Sequence, residues 1–320
     1  MNSNSHYLDH NELIIPLKNT GNNSLFKIEL KKEKFLLKKF TSKEKIKIKH
    51  EITFYDYLKK INFSNVPKLI QYNNDNNFII TSYLDPSHQI SKKDYSNLLI
   101  DSADFINYLN SKEHKHLINS YPIRAVDSVD IFNKNFQLIE YRFTKYKKNL
   151  YKYNNNVSNI FNHAYLYFLK IKQLLEKKDL NFLYTNKIIS PSDFGFHNCI
   201  ITETGTYFID FEYAGSDYLI KLVSDFILQP RCELKKNEVK FFIDRLDIIN
   251  DNLKENLNLV YPLFAIKWIL IFINFLDDDN VEKLKSKSNN IDLDFDLFVN
   301  EQLSKTTRYF NMLESNYEIY

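Results

Sequence analysis

The spacing of apolar residues changes near residue 86, and this change limits the possible folds more than any other feature of the sequence. Before it, short apolar runs between polar turns predict strands at 13–17, 25–30, 35–40, 66–72 and 78–84. Thr41 and Glu44 have the spacing of a capping box for one amphipathic helix between the third and fourth strands. After residue 86, helical spacing is found at 93–112, 126–148, 157–178, 218–228, 236–250, 257–276 and 292–315. The sequence therefore predicts an α+β fold with a small antiparallel-sheet lobe at 1–85 and a larger helical lobe at 86–320.

Composition and charge exclude several classes of protein. With 44% hydrophobic and 26% charged residues, the 320-residue chain can bury a core and is not expected to be disordered. Its 43 basic and 40 acidic side chains give a net charge of +3, which does not favour nucleic-acid binding. Cys199 and Cys232 are too few for a disulfide framework and lack zinc-ligand spacing, which indicates a cytoplasmic protein. The apolar run Tyr261–Leu276 is shorter than the roughly 20 residues of a membrane helix and predicts a buried helix.

Glycine is concentrated in one segment of the chain. Of four glycines, three fall within 21 residues, at Gly195, Gly205 and Gly215. A chain this poor in glycine is expected to keep it where the backbone needs an unusual conformation. The same segment contains Ser-Pro-Ser-Asp-Phe-Gly-Phe-His-Asn at 190–198 and Asp-Phe-Glu-Tyr-Ala-Gly at 210–215. This is the first place to expect a functional site.

A hairpin within this segment is predicted to bring two oxygen donors together. Residues 198–202 and 206–210 alternate in polarity as strands do, and Glu203-Thr204-Gly205 suits a three-residue loop. That register places Asn198 opposite Asp210, with side chains about 5 Å apart. A carboxylate and an amide oxygen so placed can share one Mg²⁺ ion, which prefers oxygen ligands. Asp193, five residues before Asn198, can reach the same place as a base or an orienting carboxylate.

The motif carries a resemblance to a known family. An aspartate followed five residues later by asparagine, and then a hairpin ending in Asp-Phe-Glu, resembles the aminoglycoside phosphotransferase and choline kinase family, relatives of the protein kinases. The resemblance is specific over about residues 190–226 and implies a two-lobed, protein-kinase-like fold. It also implies Asp193 as catalytic base, Asn198 and Asp210 as Mg²⁺ ligands, and transfer of the ATP γ-phosphate to a hydroxyl. In one departure, Pro191 stands where the family usually has a histidine.

The resemblance further implies a phosphate-binding lysine on the third strand and a helix glutamate that holds it. Lys38 is the best match for the lysine, and Lys39, which points to the other face of the strand, remains a rival. Glu51 lies on the apolar face of the predicted helix, where an unpaired carboxylate would be costly. An ion pair between Lys38 and Glu51 would remove that cost.

The loop that covers the ATP phosphates is predicted at Thr20–Ser24. Gly21 and Ser24 are its candidate cofactor-binding residues. A single glycine is a weak match to a phosphate-binding loop, although the loop of this family is less glycine-rich than that of protein kinases.

Plainer interpretations stand beside each of these. Asp193, Asn198 and Asp210 could be ordinary polar residues of two turns, and Lys38 or Glu51 a surface residue. Glu212 either contacts substrate or braces the loop. The aspartates at 277–279 follow an apolar helix and are interpreted as its terminal loop rather than as a pocket for a polycationic antibiotic.

The function that the sequence favours is a kinase that acts on a small-molecule hydroxyl, with a sugar or a precursor of a cell-surface polysaccharide as acceptor. The alternative is a nucleotide-binding pseudokinase or interaction module without turnover, which Pro191 and the sparse glycine loop would explain. Nucleic-acid binding is a distant third hypothesis.

Overall fold

The computed structural model describes residues 12–17, 23–41, 44–114, 116–117, 131–178, 187–230, 232–287 and 294–314. The chain divides into two compact units. The first contains Met1–Arg124 and Ile188–Asp217, and the second contains Ala125–Lys187 and Tyr218–Tyr320. The predicted boundary at residue 86 falls inside the first unit, and the division into an N-terminal and a helical lobe remains a prediction.

The first unit begins with the predicted antiparallel sheet. Its strands are β1 (Glu12–Pro16), β2 (Ser24–Leu30), β3 (Glu33–Lys39), β4 (Leu69–Asn73) and β5 (Phe78–Ser82), in the spatial order β1-β2-β3-β5-β4. Lys31 and Lys32 both have positive φ in the two-residue turn between β2 and β3, as tight hairpin turns require. The α+β architecture predicted for this part of the chain is confirmed.

Helix α1 (Lys45–Lys60) follows the third strand and packs on the sheet. Before it, the backbone N–H and the hydroxyl of Thr41 both donate to the Glu44 carboxylate, which is one half of the predicted capping box. The N-cap of the helix is Glu44 and not Thr41, and it makes no side-chain cap hydrogen bond. Ile48 and Ile52 of α1 form a buried cluster with Phe40 and Ile79 from the sheet. This packing determines which face of α1 lies against the sheet.

The rest of the first unit consists of α2 (Tyr95–Leu109) and four short strands, β6 (Lys187–Ser190), β7 (Cys199–Thr202), β8 (Gly205–Phe208) and β9 (Gly215–Tyr218). Strand β6 pairs with β9, and β7 pairs with β8. The side-chain amide of Asn110, at the end of α2, exchanges two hydrogen bonds with the backbone of Ile189. Phe105 of α2 stacks on Phe208 with ring centroids 4.3 Å apart. These contacts hold the segment that contains the motif.

The predicted register of the β7–β8 hairpin is wrong by one residue. Cys199 pairs with Phe208 and Thr202 with Gly205, so the turn has two residues instead of three. Thr202 Oγ1 accepts from the Thr204 N–H and donates to the Gly205 carbonyl, which stabilises the shorter turn. Gly205 has φ +130°, a conformation that L-amino acids rarely adopt.

This shift changes the residue that lies opposite Asn198. The N–H of Ile209, and not that of Asp210, donates to the Asn198 carbonyl at 3.0 Å. Because a one-residue slip reverses the face of every side chain in a strand, Asn198 and Asp210 do not face each other across this ladder. Asp210 instead follows the last paired residue.

The second unit is helical in its described residues. It contains α3 (Ile131–Lys147), α4 (Asn155–Leu175), α5 (Leu219–Ile227), α6 (Lys236–Asp244), α7 (Asp251–Phe272), α8 (Asp278–Lys287) and α9 (Phe295–Glu314). Helix α7 packs against α3, α4, α5 and α9. Helix α7 begins earlier than its apolar spacing predicts, because the Asn250 side chain accepts from the Leu253 N–H as its N-cap. Helix α8 was not predicted, since acidic residues form its first turn.

The most apolar segment of the chain is α7 with the 3₁₀ turn that follows it, Ile273–Leu276. The segment is long enough to cross a membrane, and an 18-residue window within it has a mean hydropathy of 2.0. However, 67% of this window is buried inside the protein. Residues such as Phe264, Ile266 and Leu270 are fully enclosed. This is the burial of a core helix, as the sequence predicts.

Candidate active site

A buried ion cluster surrounds the end of the Lys38 side chain on β3. Lys38 Nζ lies 2.8 Å from Glu51 Oε2 on α1 and 2.5 Å from Asp210 Oδ1. Glu212 Oε2 is 3.3 Å from the same nitrogen. The ion pair predicted between Lys38 and Glu51 is therefore present. Lys39 is exposed, and its ammonium lies over the ring of Phe26 on the other face of the strand.

The charges of this cluster are strongly coupled. Burial alone would lower the pKa of Lys38, but the carboxylates of Glu51, Asp210 and Glu212 outweigh it and raise that pKa above its ordinary value. Burial raises the pKa of Glu51 to about 7, although the Lys38 ammonium opposes this change. The cluster thus keeps its lysine charged and holds more negative than positive charge around it.

Glu212 is held by three elements. Besides Lys38, it accepts hydrogen bonds from the Asn23 side chain, just before β2, and from Lys47 Nζ at 3.0 Å. Lys47 also pairs with Glu44 at 2.7 Å, and its ammonium lies over the ring of Tyr213. Burial would raise the pKa of Glu212, but Lys38 and Lys47 lower it below its usual range. Of the two roles considered for Glu212, this geometry favours bracing of the loop.

Asp210 itself stands at a strained backbone position. Its φ is +66°, in the left-handed region that costs a non-glycine residue roughly 1 kcal/mol or more. The following residue, Phe211, is buried against the rings of Phe54 and Tyr55 of α1, at 4.8 and 5.4 Å. The buried ring and the Lys38 ion pair together hold the Asp210 carboxylate at the surface of the cluster.

The segment 190–198 forms a second group of polar contacts. Asn198 Nδ2 donates to the Asp193 carbonyl at 2.7 Å, and His197 Nε2 lies 3.3 Å from Asp193 Oδ1. Ser192, with φ +69°, is also in the left-handed region, and its hydroxyl donates to the Asp217 carboxylate. The backbone before Asp193 is therefore constrained from two sides.

Several predicted site residues have a less direct outcome. Gly21 lies outside the described residues, and Ser24 is the exposed first residue of β2, opposite Lys39. Gly195 has φ 177°, which any residue adopts, so its backbone does not require glycine. Within the described residues, no hydrogen bond joins the side chains of Asn198 and Asp210.

Two residues of the ion cluster were missed from the sequence, Asn23 and Lys47. Lys47 lies one helical turn before Glu51, and this spacing places the two on the same face of α1. That spacing was the available sign, but a lysine-rich helix offers many such lysines. Asn23 had no local sign, because its partner lies 189 residues away.

Carboxylate oxygens of Glu51, Asp210 and Glu212 lie within 4.8 Å of one another, but the Lys38 ammonium already lies among them and compensates their charge. The predicted Mg²⁺ ligands are therefore considered by their own chemistry. Because Asn198 donates through Nδ2 to the Asp193 carbonyl, its Oδ1 atom remains as an acceptor. Carboxylate and amide oxygens are the ligands that Mg²⁺ prefers in proteins. The predicted ligands Asn198 and Asp210 thus have suitable chemistry.

Comparison with solved structures identifies the fold. The chain is similar to an ethanolamine kinase of Plasmodium vivax, with 17% identity, a TM-score of 0.60, and coverage of 96% of this chain and 84% of that one. It is also similar to a choline kinase of Streptococcus pneumoniae, with 14% identity, a TM-score of 0.57, and coverage of 94% and 95%. A third similar structure is the ADP-bound aminoglycoside phosphotransferase APH(2″)-Ib, with 15% identity, a TM-score of 0.53, and coverage of 93% of this chain and 94% of that one.

No protein-family model and no curated protein sequence matches the chain. The structural likeness extends over almost the whole chain at low sequence identity. The protein therefore has the protein-kinase-like fold of choline and ethanolamine kinases and of aminoglycoside phosphotransferases, as the sequence predicts.

Proposed function

We propose that the protein is an ATP-dependent phosphotransferase that acts on a hydroxyl group of a small molecule. The observation that carries this proposal is the Lys38 ammonium, buried between Glu51 and Asp210 at 2.8 and 2.5 Å. A buried lysine held by a helix glutamate is the arrangement that positions ATP phosphates in kinases. The fold, shared with phosphotransferases, supports the same function.

Each residue of the site has a role in this reaction. Lys38 binds the phosphates of ATP, and Glu51 fixes its position. Asp193 orients the acceptor hydroxyl and accepts its proton as the oxygen bonds to the γ-phosphorus and ADP leaves. Mg²⁺, held by Asn198 and Asp210, would neutralise the phosphate charge. Glu212 and Lys47 hold the loop that presents Asp210.

The loop before β2 is proposed to cover the phosphates, with Gly21 and Ser24 as its contacts. Asn23 supports this placement, because its side chain donates to Glu212 beside Lys38. We further propose that the protein acts in the cytoplasm, where ATP is available. The buried thiols of Cys199 and Cys232, which form no disulfide, are compatible with that reducing compartment.

We propose a sugar or a precursor of a cell-surface polysaccharide as the acceptor. The structure speaks against one alternative, a polycationic substrate bound at the aspartates 277–279. Lys145 pairs with Asp277 and Asp279, and Lys152 pairs with Asp278. Since these aspartates already have partners within the second unit, they offer little uncompensated negative charge.

The alternative is a nucleotide-binding module without turnover. Pro191 favours it, because proline cannot provide the side-chain donor that the resembling kinases usually have two residues before the base. Both hypotheses predict ATP binding through Lys38, so binding alone does not separate them.

An ATP-consumption screen separates the two functions. The full-length protein with MgATP is tested against sugars, amino alcohols and aminoglycosides, with Asp193→Ala as the matched inactive variant. The proposal predicts acceptor-dependent ADP formation that Asp193→Ala abolishes. ATP binding without consumption across the whole set would support the module, and a strong aminoglycoside response without sugar turnover would overturn the proposed acceptor.

A further inference from the structure

The carboxylate of Asp193 depends on a single side chain for its orientation. Over the ranges that the structure describes, its one hydrogen-bond partner is His197, whose Nε2 lies 3.3 Å from Asp193 Oδ1. A carboxylate can only accept, so the imidazole donates from Nε2–H. The 3₁₀ turn Phe196–Asn198 folds the ring back over the loop and brings the two side chains together. Without this contact the half-exposed Asp193 side chain, 42% accessible, would be free to rotate.

The buried position of the His197 imidazole has an energetic cost, which arises at its other ring nitrogen, Nδ1. The His197 side chain is only 13% accessible, and its buried Nδ1 has no hydrogen-bond partner among the described residues. A buried polar atom without a partner is unfavourable and calls for an explanation. Placing the proton on Nε2 avoids an unpaired buried N–H at Nδ1. Among the described residues, the contact with Asp193 is thus the polar interaction of the ring that can offset its burial.

The neighbours of His197 leave its ring little freedom. Phe196 is buried and packs against Tyr95 with ring centroids 5.2 Å apart. Asn198 is anchored through its side chain to the Asp193 carbonyl. Because both flanking residues are anchored, the backbone that carries the imidazole is held next to Asp193.

The two residues before Asp193 direct no side-chain donor to its carboxylate in the part of the chain that the structure describes. Pro191 precedes it by two residues and has neither a side-chain donor nor a backbone N–H. The Ser192 hydroxyl is directed to Asp217. Among the described residues, the donor that reaches the Asp193 carboxylate comes after it in the chain, from His197.

We propose that His197 is the positioning residue for Asp193, supplying after the base the support that Pro191 cannot supply before it. The hydrogen bond holds Oδ1, so that Oδ2 is presented to the acceptor hydroxyl in a constant direction. This proposal rests on the proposed phosphotransferase function. It assigns no proton transfer to the imidazole itself.

The test measures MgATP hydrolysis, with water as the acceptor, in four variants of the full chain. His197→Phe keeps a ring but removes the donor, His197→Asn is polar but too short, and His197→Gln places an N–H near the position of Nε2. His88→Phe is the matched control, since His88 also donates to an aspartate, Asp94, but is half-exposed. Thermal melting establishes that each variant is folded.

The expected result is a kcat lowered roughly 10- to 100-fold in His197→Phe and His197→Asn, with the KM for ATP unchanged within about twofold. His197→Gln should recover kcat to within about fivefold of the wild type, and His88→Phe should match the wild type. A kcat of His197→Phe within about twofold of the wild type would overturn the proposal. So would equal losses in all three His197 variants, because a merely structural role gives no rescue.

A second measurement does not require turnover. In protein labelled with ¹⁵N-histidine, the His197 ring resonances should show the proton on Nε2 and should shift in Asp193→Ala. Unchanged ring resonances in Asp193→Ala would overturn the positioning role even in an active enzyme. A wild-type protein that consumes no ATP with water or with any acceptor of the screen, but shows the expected ring resonances, would contradict the proposed function and leave the contact established.

Discussion

The two ends of the proposed active site are held in different ways. Around Lys38, three carboxylates from α1 and from the loop after β8 surround one buried ammonium. Around Asp193, one imidazole reaches a half-exposed carboxylate. Because of this difference, we expect changes near Lys38 to alter ATP affinity and stability together, and changes near Asp193 to alter turnover alone.

The largest effect is expected at the weakly held end. Asp193→Ala should lower phosphotransfer at least about 1,000-fold, because the base that orients the hydroxyl is lost. The dissociation constant for MgATP should stay within about twofold, since no hydrogen bond or ion pair joins Asp193 to the Lys38 cluster within the described residues. Steady-state kinetics and calorimetry check the two values. Weakening of ATP binding in proportion to turnover would break the comparison.

At the strongly held end, Lys38→Met should lower both ATP affinity and stability. Removal of the ammonium leaves the buried Glu51 carboxylate beside two others, which is expected to cost about 3 kcal/mol. Denaturant unfolding measures this cost, and ATP binding is measured in the same variant. Lys39→Met is the matched control, because Lys39 is exposed on the other face of β3. Similar losses in both variants would mean that the buried ion pairs are unimportant.

Glu51 of the Lys38 cluster should make the stability of the protein depend on pH. Burial raises the pKa of Glu51 to about 7 from its ordinary value of 4.5, so between these values the folded state holds a proton that the unfolded chain has lost. Stability should therefore fall as pH rises through this window, by about 1 kcal/mol per pH unit.

Glu51→Gln isolates this effect. The difference in unfolding free energy between wild type and Glu51→Gln should change between pH 4.5 and 7 and be constant above that range. A difference that does not vary with pH would show that the Glu51 carboxylate keeps an ordinary pKa.

The smallest effect is expected at the edge of the cluster. Lys47→Met removes ion pairs with Glu44 and Glu212 and should lower stability by about 1 kcal/mol. Because Glu212 retains Lys38 and Asn23, the KM for ATP should rise only a few-fold and kcat should change little. A loss as large as that of Lys38→Met would show that Lys47, and not Lys38, is the central cation.

The sequence predicted best what depends on local spacing. Strands β2 and β3, helix α1 and the burial of Glu51 follow from periods of two and of 3.6 residues, and they suffice to place Lys38 beside Glu51. The choice of Lys38 over Lys39 depended on strand alternation in the same way.

Features that depend on distant partners or on single turns were not predictable. The hydroxyl of Thr202 selects a two-residue turn, and that choice moved Asp210 out of register with Asn198. Asn23 and Glu212 form a hydrogen bond although 189 residues separate them in the sequence, and residue spacing carries no information over such a separation. Helix α8 was not predicted because the acidic residues of its first turn were interpreted as a loop.

The most direct test of the central claim is a ³¹P NMR time course of the wild-type protein with MgATP and each acceptor that increases ATP consumption. We expect the γ-phosphate resonance to disappear as a phosphate-ester resonance grows in equal amount to ADP, and Asp193→Ala to produce neither change. An ATP spectrum that stays unchanged in the presence of bound protein and every acceptor would contradict it, and so would an ester signal of the same rate from Asp193→Ala.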